Sequence, residues 1–167
     1  MRTITLNIYK FKELSAPAQG RAIGANRKTE VNNIDWSYPI IEDAQNVAQL
    51  KITGFDLPYD ITSTFITDPK SSAQNIISEL SADSVLYSIA AKFLSELERL
   101  ERQEDTAKTE ADIQHAEETY RIRLNNYYIR TLDQHYDYLT SDEGVEEYLT
   151  ERDFEFMEDG TRYYDKK

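Results

Sequence analysis

Side chains able to do acid–base, metal or nucleophilic chemistry are few in kind here, and one kind dominates. The 167-residue sequence has no cysteine and two histidines, against thirty-one Asp and Glu. Without cysteine there is no disulfide framework, thiolate metal site or thiol nucleophile. His115 and His135 lie twenty positions apart, more than five turns if they share a helix, so they do not meet at one metal without a fold-back. Neither has the His-Glu-x-x-His spacing of a zinc hydrolase. No Gly-x-Ser-x-Gly elbow, glycine-rich phosphate cradle or Walker sequence occurs, and five glycines in all leave little room for one. Asp153 to Gly160 alternates acidic residues, but the glycine is misplaced for a calcium loop and no glutamate closes it. Carboxylate pairs such as Glu98 with Glu101, Glu117 with Glu118, and Glu146 with Glu147 are too numerous to mark a catalytic acid and base. A solvated helix face accounts for them. The expectation is a non-enzymatic protein with no metal and no cofactor.

What the carboxylates could do is recognise a cation, and their distribution is uneven. The net charge is −12, which argues against sequence-independent binding to nucleic acid or to an anionic membrane surface. Nearly all of it falls after position 69. From Asp137 to Asp165 there are eleven acidic residues, against Arg152 and Arg162 alone. Asp142, Glu143, Glu146, Glu147, Glu151, Asp153, Glu155, Glu158 and Asp159, if carried on folded elements, form a row resembling the negative lattice of a nucleic-acid backbone. Such a row suits a groove lined by Lys and Arg, with long-range steering that salt weakens. The other reading is a solubilising surface with no partner. Twelve tyrosines are the second unusual feature. Most read as core residues with a wet hydroxyl, and Tyr148, among the carboxylates, is a candidate contact residue because tyrosine is enriched at binding hot spots. Stacking on single-stranded nucleic acid needs a basic groove, and the one local cluster, Arg121, Arg123 and Arg130, is outnumbered by acids.

The elements that must position these groups follow from periodicity. Thr3 to Tyr9 alternates polar and apolar and predicts an opening strand. Ser15-Ala16-Pro17 predicts a helix start, and the helix runs to about Asn26 with Gly20 and Gly24 weakening it by up to ~1 kcal/mol each. Ile40, Ile41, Ala44, Val47 and Ala48 predict a helix over 39–49. Residues 51–57 and 63–67 predict short strands around Pro58. Asp68-Pro69 predicts an N-cap and first helical position leading to Leu80. Leu86, Ile89, Ala90, Phe93, Leu97 and Leu100 predict a long amphipathic helix, and the period resumes from Ile113 to Leu139. The two fold back as an antiparallel hairpin across 103–111, with a continuous rod as the alternative. Thr140 and Glu143 match a capping box for a short helix to Glu151. Phe154 to Tyr164 predicts a closing hairpin turned at Asp159-Gly160.

Several phrases together are familiar: Tyr9-Lys-Phe-Lys-Glu-Leu-Ser15 with Ala18 and Ala22, Trp36, Ile41-Glu-Asp-Ala-Gln-Asn-Val47, Leu50-Lys-Ile-Thr-Gly-Phe-Asp56, Tyr138-Leu-Thr-Ser-Asp-Glu143, Phe154-Glu-Phe156 and Asp159-Gly160. In these the chain resembles a family of small acidic proteins of phages and mobile elements, mostly uncharacterised and sometimes labelled antitoxins of toxin–antitoxin stability systems. The resemblance implies an accessory protein of a mobile element, a class that also holds counter-defence inhibitors such as anti-CRISPR proteins. It carries no catalytic signature.

The expectation is therefore one α+β domain over 1–167, a small antiparallel or mixed sheet packed against a helical layer, with an acidic helix and β-hairpin at 140–165. The functional expectation is a phage or mobile-element inhibitor acting by nucleic-acid mimicry on a basic, nucleic-acid-binding protein of the host, such as a defence nuclease. Its partner-binding residues would be Asp142, Glu143, Glu146, Glu147, Tyr148, Glu151, Asp153 and Glu155. The alternative is an antitoxin-like protein that neutralises a toxin through the apolar helical surface. The N-terminus is too polar for a signal peptide and no run approaches ~18 apolar residues, so a cytoplasmic location in the host cell is expected, with no membrane contact and a homodimer left open.

Overall fold

The computed structural model describes residues 6–102 and 106–164. The elements in order are β1 (Tyr9–Lys10), α1 (Ala16–Asn26), α2 (Tyr38–Asn46), β2 (Leu50–Asp56), β3 (Asp60–Phe65), α3 (Pro69–Glu79), α4 (Val85–Glu101), α5 (Thr106–Leu139), α6 (Asp142–Glu151) and β4 (Glu155–Phe156), with short 3-10 turns at Phe11–Glu13 and Ile34–Ser37. The class is α+β as expected, but the strands form two separate antiparallel pairs, β1 with β4 and β2 with β3, in place of one sheet. The chain divides into two compact units. One is drawn from the described residues up to Trp36 and from Gln134 onward, and the other is Ser37–Asp133.

In the first unit an early and a late segment meet. Tyr9 pairs with Phe156 and Lys10 with Glu155. Of the expected opening strand, Thr3 to Thr5 lie outside the described residues, and regular pairing is confined to Tyr9–Lys10. Phe11, Leu14, Ala18 and Ala22 pack with Val145, Leu149 and Phe156 into a core, and the Phe11 and Phe156 rings meet edge to face at 6.1 Å. The helix start at Ser15 and the end of α1 at Asn26 agree with the sequence reading. The capping box does not. Ser141, not Thr140, caps α6, its Oγ accepting from Gly144 N at 3.1 Å. The Thr140 hydroxyl donates back to the Tyr136 carbonyl at 2.9 Å, and it is Ser141, whose hydroxyl donates to the Tyr138 carbonyl at 2.6 Å, that also accepts the capping bond. The closing turn exists, with Met157 N donating to Thr161 O at 2.8 Å and Phe156 bridging Arg162, while the partner of β4 is β1.

In the second unit β2 and β3 pair from Leu50–Phe65 to Asp56–Asp60, with a register shift between Ile52 and Gly54. β2 lies one residue earlier than the 51–57 expected, and β3 starts three residues nearer the turn than the 63–67 expected and ends two residues sooner. Asp68 caps α3, accepting from Ser71 N at 2.9 Å, with Pro69 at the first position as predicted. The apolar stripe of α4, Leu86, Ala90, Phe93, Leu97 and Leu100, is buried. Its Phe93 ring stacks at 4.2 Å on Tyr120 of α5, whose other face stacks on Phe65 at 5.6 Å. Arg99 lies close enough to Asp112 to feel its charge. Residue 93 opposite 120 and 99 beside 112 is the antiparallel register of a helix hairpin; residues 103–105 of the connection lie outside the described residues. The hydroxyls of the buried tyrosines are satisfied: Tyr120 meets Ser72 Oγ at 3.1 Å, Ser72 donates to Ala48 O at 2.6 Å, and Tyr128 donates to Asp43 Oδ2 at 3.0 Å. Among the described residues no helix is long and apolar enough to cross a membrane.

Two glycines in the first unit are there for lack of a side chain. A Cβ on Gly144 would strike the Tyr138 carbonyl, and one on Gly160, whose φ is +88°, would strike the Ala18 carbonyl. Gly20, by contrast, sits on α1 with open space around it. Urea denaturation of three variants separates these causes. Gly144→Ala and Gly160→Ala should each lose on the order of 1–3 kcal/mol, whereas Gly20→Ala should gain about 0.5–1 kcal/mol from helix propensity.

Candidate acidic groove

The α6 sequence separates its faces cleanly. Gly144, Val145 and Leu149 are buried, so Glu143, Glu147 and Glu151, at i, i+4 and i+8, line up on the side turned to solvent, with Glu146 beside them. Asp142 and Glu143 in the first turn also complement the positive end of the helix dipole. Glu143, Glu146, Glu147 and Glu151, with Thr150, Tyr138 and Lys12, line a shallow groove of about 430 Å³. The Tyr138 hydroxyl donates to Glu147. That bond, with the charges of Glu143 and Glu151, pushes the phenol up to about 12. Glu30 lies near the same charges: burial raises its carboxyl above the usual value, and Glu151 and Glu147 add to the rise against the opposing pull of Arg152 and His135. Tyr138 thus responds to the glutamates of α6, whereas Glu30 is raised chiefly by burial.

The remaining predicted site residues fall elsewhere. Asp142 pairs with Arg27, which also donates to the Thr140 carbonyl at 2.7 Å. Asp153 and Glu155 share Lys10, at 3.0 and 3.3 Å. These three carboxylates are therefore partly neutralised by their own chain. Tyr148 is half-buried against the core of this unit, its ring edge-on to Phe154 at 5.5 Å with the Arg152 guanidinium at 5.7 Å. It packs one side on the core and keeps part of its surface exposed. Lys12 and Glu30 were not anticipated as neighbours of α6, because nothing local in sequence connects them to it. Tyr138 was legible only as one of several tyrosines in the acidic half.

The histidines are apart in role. His135 lies against Trp36, ring centroids 6.0 Å apart, and His115 faces a groove between α4 and α5. Among the described residues no group of three or more His, Asp or Glu side chains is placed to hold a metal ion. Comparison with protein-family models, with curated proteins and with solved structures finds no match for the chain.

The perturbed carboxyl of Glu30 has a definite sign. Its folded pKa is raised above the usual 4.5, so its burial is favourable while it is protonated and becomes unfavourable as pH rises through that value. Glu30→Gln should therefore raise the melting temperature at about pH 7 and leave it unchanged near pH 4. Equal shifts at both pH values would place the effect in packing.

Proposed function

We propose that this chain is a non-enzymatic inhibitor, of phage or mobile-element origin, that offers a nucleic-acid-like acidic surface to a basic, nucleic-acid-binding protein of its host, such as a defence nuclease. The observation that carries this reading is the groove on α6, where four glutamates stand together and Lys12 is the one cation among the lining residues. Their spacing along the helix follows its pitch, about 6 Å for each four-residue step, a regular row of negative charge as a nucleic-acid backbone also presents. A Lys- or Arg-lined groove that tracks phosphates presents complementary charge at that interval, and rigid display on a capped helix lowers the ordering cost of binding.

Asp142, Asp153 and Glu155 contribute less to such a surface, since Arg27, Lys10 and their own solvation already balance them. The alternative, toxin neutralisation through the apolar stripe of the 83–139 helices, has less support. That stripe on α4 is buried within its own unit, and its use would require the helix pair to open.

The reading makes a salt-dependent, competitive prediction. A host effector bound by the wild-type chain should be displaced by duplex DNA or RNA, and its affinity should fall steeply as salt rises. Glu143→Lys, Glu147→Lys and Glu151→Lys should weaken the complex by on the order of tenfold each at low salt. Charge reversal at Glu98, outside the groove, should leave it unchanged. A complex indifferent to both salt and the α6 reversals would overturn the mimicry, and tight binding that survives high salt would favour the antitoxin-like alternative.

A further inference from the structure

The antiparallel register of α4 and α5 opens a second groove, of about 520 Å³, within the Ser37–Asp133 unit, lined by three Lys or Arg side chains against two carboxylates. Its walls take side chains from one face of each helix. Lys92, Glu96 and Arg99 come from α4, and Asp112, His115, Thr119 and Arg123 from α5, over a floor of Phe93 and Tyr120. The two stacked rings are almost fully buried, so the floor is rigid and the recognition groups are the polar ones above it. The 93-to-120 stacking places Lys92 and Arg123 at one end, and the influence of Asp112 on Arg99 marks the other. Seven residues of helix separate Lys92 from Arg99, about 10 Å.

The two ends differ in how their charges are engaged. Arg99 holds Glu96 through two hydrogen bonds, at 2.9 and 2.6 Å, and Asp112 adds a second carboxylate there. Lys92 and Arg123 make no ion pair or hydrogen bond among the described residues, although cations nearby are paired: Lys70 with Glu101, Arg102 with Glu98, and Arg121 with Glu118. In a chain of net charge −12, two cations without carboxylate partners, facing one groove beside the Thr119 hydroxyl, form a local anion site. Ligand pockets run to several hundred Å³, and this one has room for more than a bare anion.

We propose that this groove binds a phosphorylated small molecule whose body carries hydroxyl groups, of the nucleoside monophosphate class. The phosphate sits between Lys92 and Arg123, which supply charge-assisted hydrogen bonds. The hydroxyls of the body donate to Glu96, one helical turn or ~6 Å from Lys92, and to Asp112 at the far end beside Arg99. The site is independent of the α6 glutamates, which belong to the other unit, and its failure would leave the acidic groove untouched.

Calorimetric titration of the full chain with AMP, adenosine and inorganic phosphate tests the assignment. Salt of about 0.1–0.15 M suits it, because the distant carboxylates are then screened over ~8–10 Å while contact pairs are not. AMP is expected to bind at a single site more tightly than either fragment. Lys92→Gln and Arg123→Gln should each weaken AMP by about tenfold or more, and Asp112→Asn should weaken AMP while leaving inorganic phosphate unaffected. Lys92 and Arg123 are exposed, so these variants keep the fold, which their melting curves check. Amide shifts of the wild type should move along 92–99 and 112–123. Absence of AMP binding up to about 10 mM, or binding that neither glutamine variant alters, overturns the proposal. Phosphate binding as tight as AMP overturns the role given to the carboxylate end.

Discussion

Val145 and Leu149 hold α6 by its apolar side in a core with Phe11, Leu14, Ala18, Ala22 and Phe156, and that burial keeps four glutamates turned into one groove. The magnitudes favour it. Burying a Val or Leu side chain is worth roughly 1.5–3 kcal/mol, whereas repulsion between exposed carboxylates in water is about 1 kcal/mol even at 4 Å and weaker at helical spacing. The acidic face is thus tolerated because the opposite face is anchored. Its anchor closes the chain on itself, since β1 and β4 bring positions 9–10 to 155–156. Changes near the N-terminus, at Phe11 or Leu14, therefore act on the C-terminal charge display.

Charge within this unit is sorted by geometry more than by amount. Lys10 and Arg27 take up Asp153, Glu155 and Asp142. Such exposed pairs add little stability, typically 0–1 kcal/mol, but they shorten the reach of those carboxylates. The glutamates of α6 have Lys12 on the rim of their groove and a hydrogen bond from Tyr138 to Glu147. The Tyr138 phenol is raised mainly by its hydrogen bond to Glu147, and the Glu30 carboxyl chiefly by burial.

The Ser37–Asp133 unit is organised around aromatic rings. Phe65, Tyr120 and Phe93 stack in a column joining β3, α5 and α4, and the Ser72 hydroxyl satisfies Tyr120 while bonding the Ala48 carbonyl. Desolvation pushes the Tyr120 phenol up to about 12, so it stays a neutral donor throughout the physiological range. The carbonyls of Ile61 and Ser63, on the side of β3 away from β2, take bonds from Asn125 and Arg121 of α5. This edge of a two-stranded ladder is covered by helix side chains in place of a third strand.

Periodicity and caps were legible in the sequence because both are local. The apolar stripe from Leu86 to Leu100, the Asp68-Pro69 start and the bounds of α1 each depend on residues within a turn or two, and the structure repeats them. Thr140 was misplaced as a cap by a single residue, since Thr140 and Ser141 are equivalent in type, both hydroxyls bond back to α5 carbonyls, and the choice depends on where the backbone leaves α5 and enters α6. The acidic excess after position 69 was equally plain. What composition could not say was which carboxylates stand together. That depended on Lys10 and Arg27 lying beside Asp153, Glu155 and Asp142, and on Lys12 and Glu30 lying near α6, contacts across more than a hundred positions. The separation of the strands into two ladders and the pairing of α4 with α5 that brings Lys92 and Arg123 to one groove are of the same kind. Local sequence sets which face of each helix is apolar; only burial of those faces against distant segments decides which polar groups become neighbours.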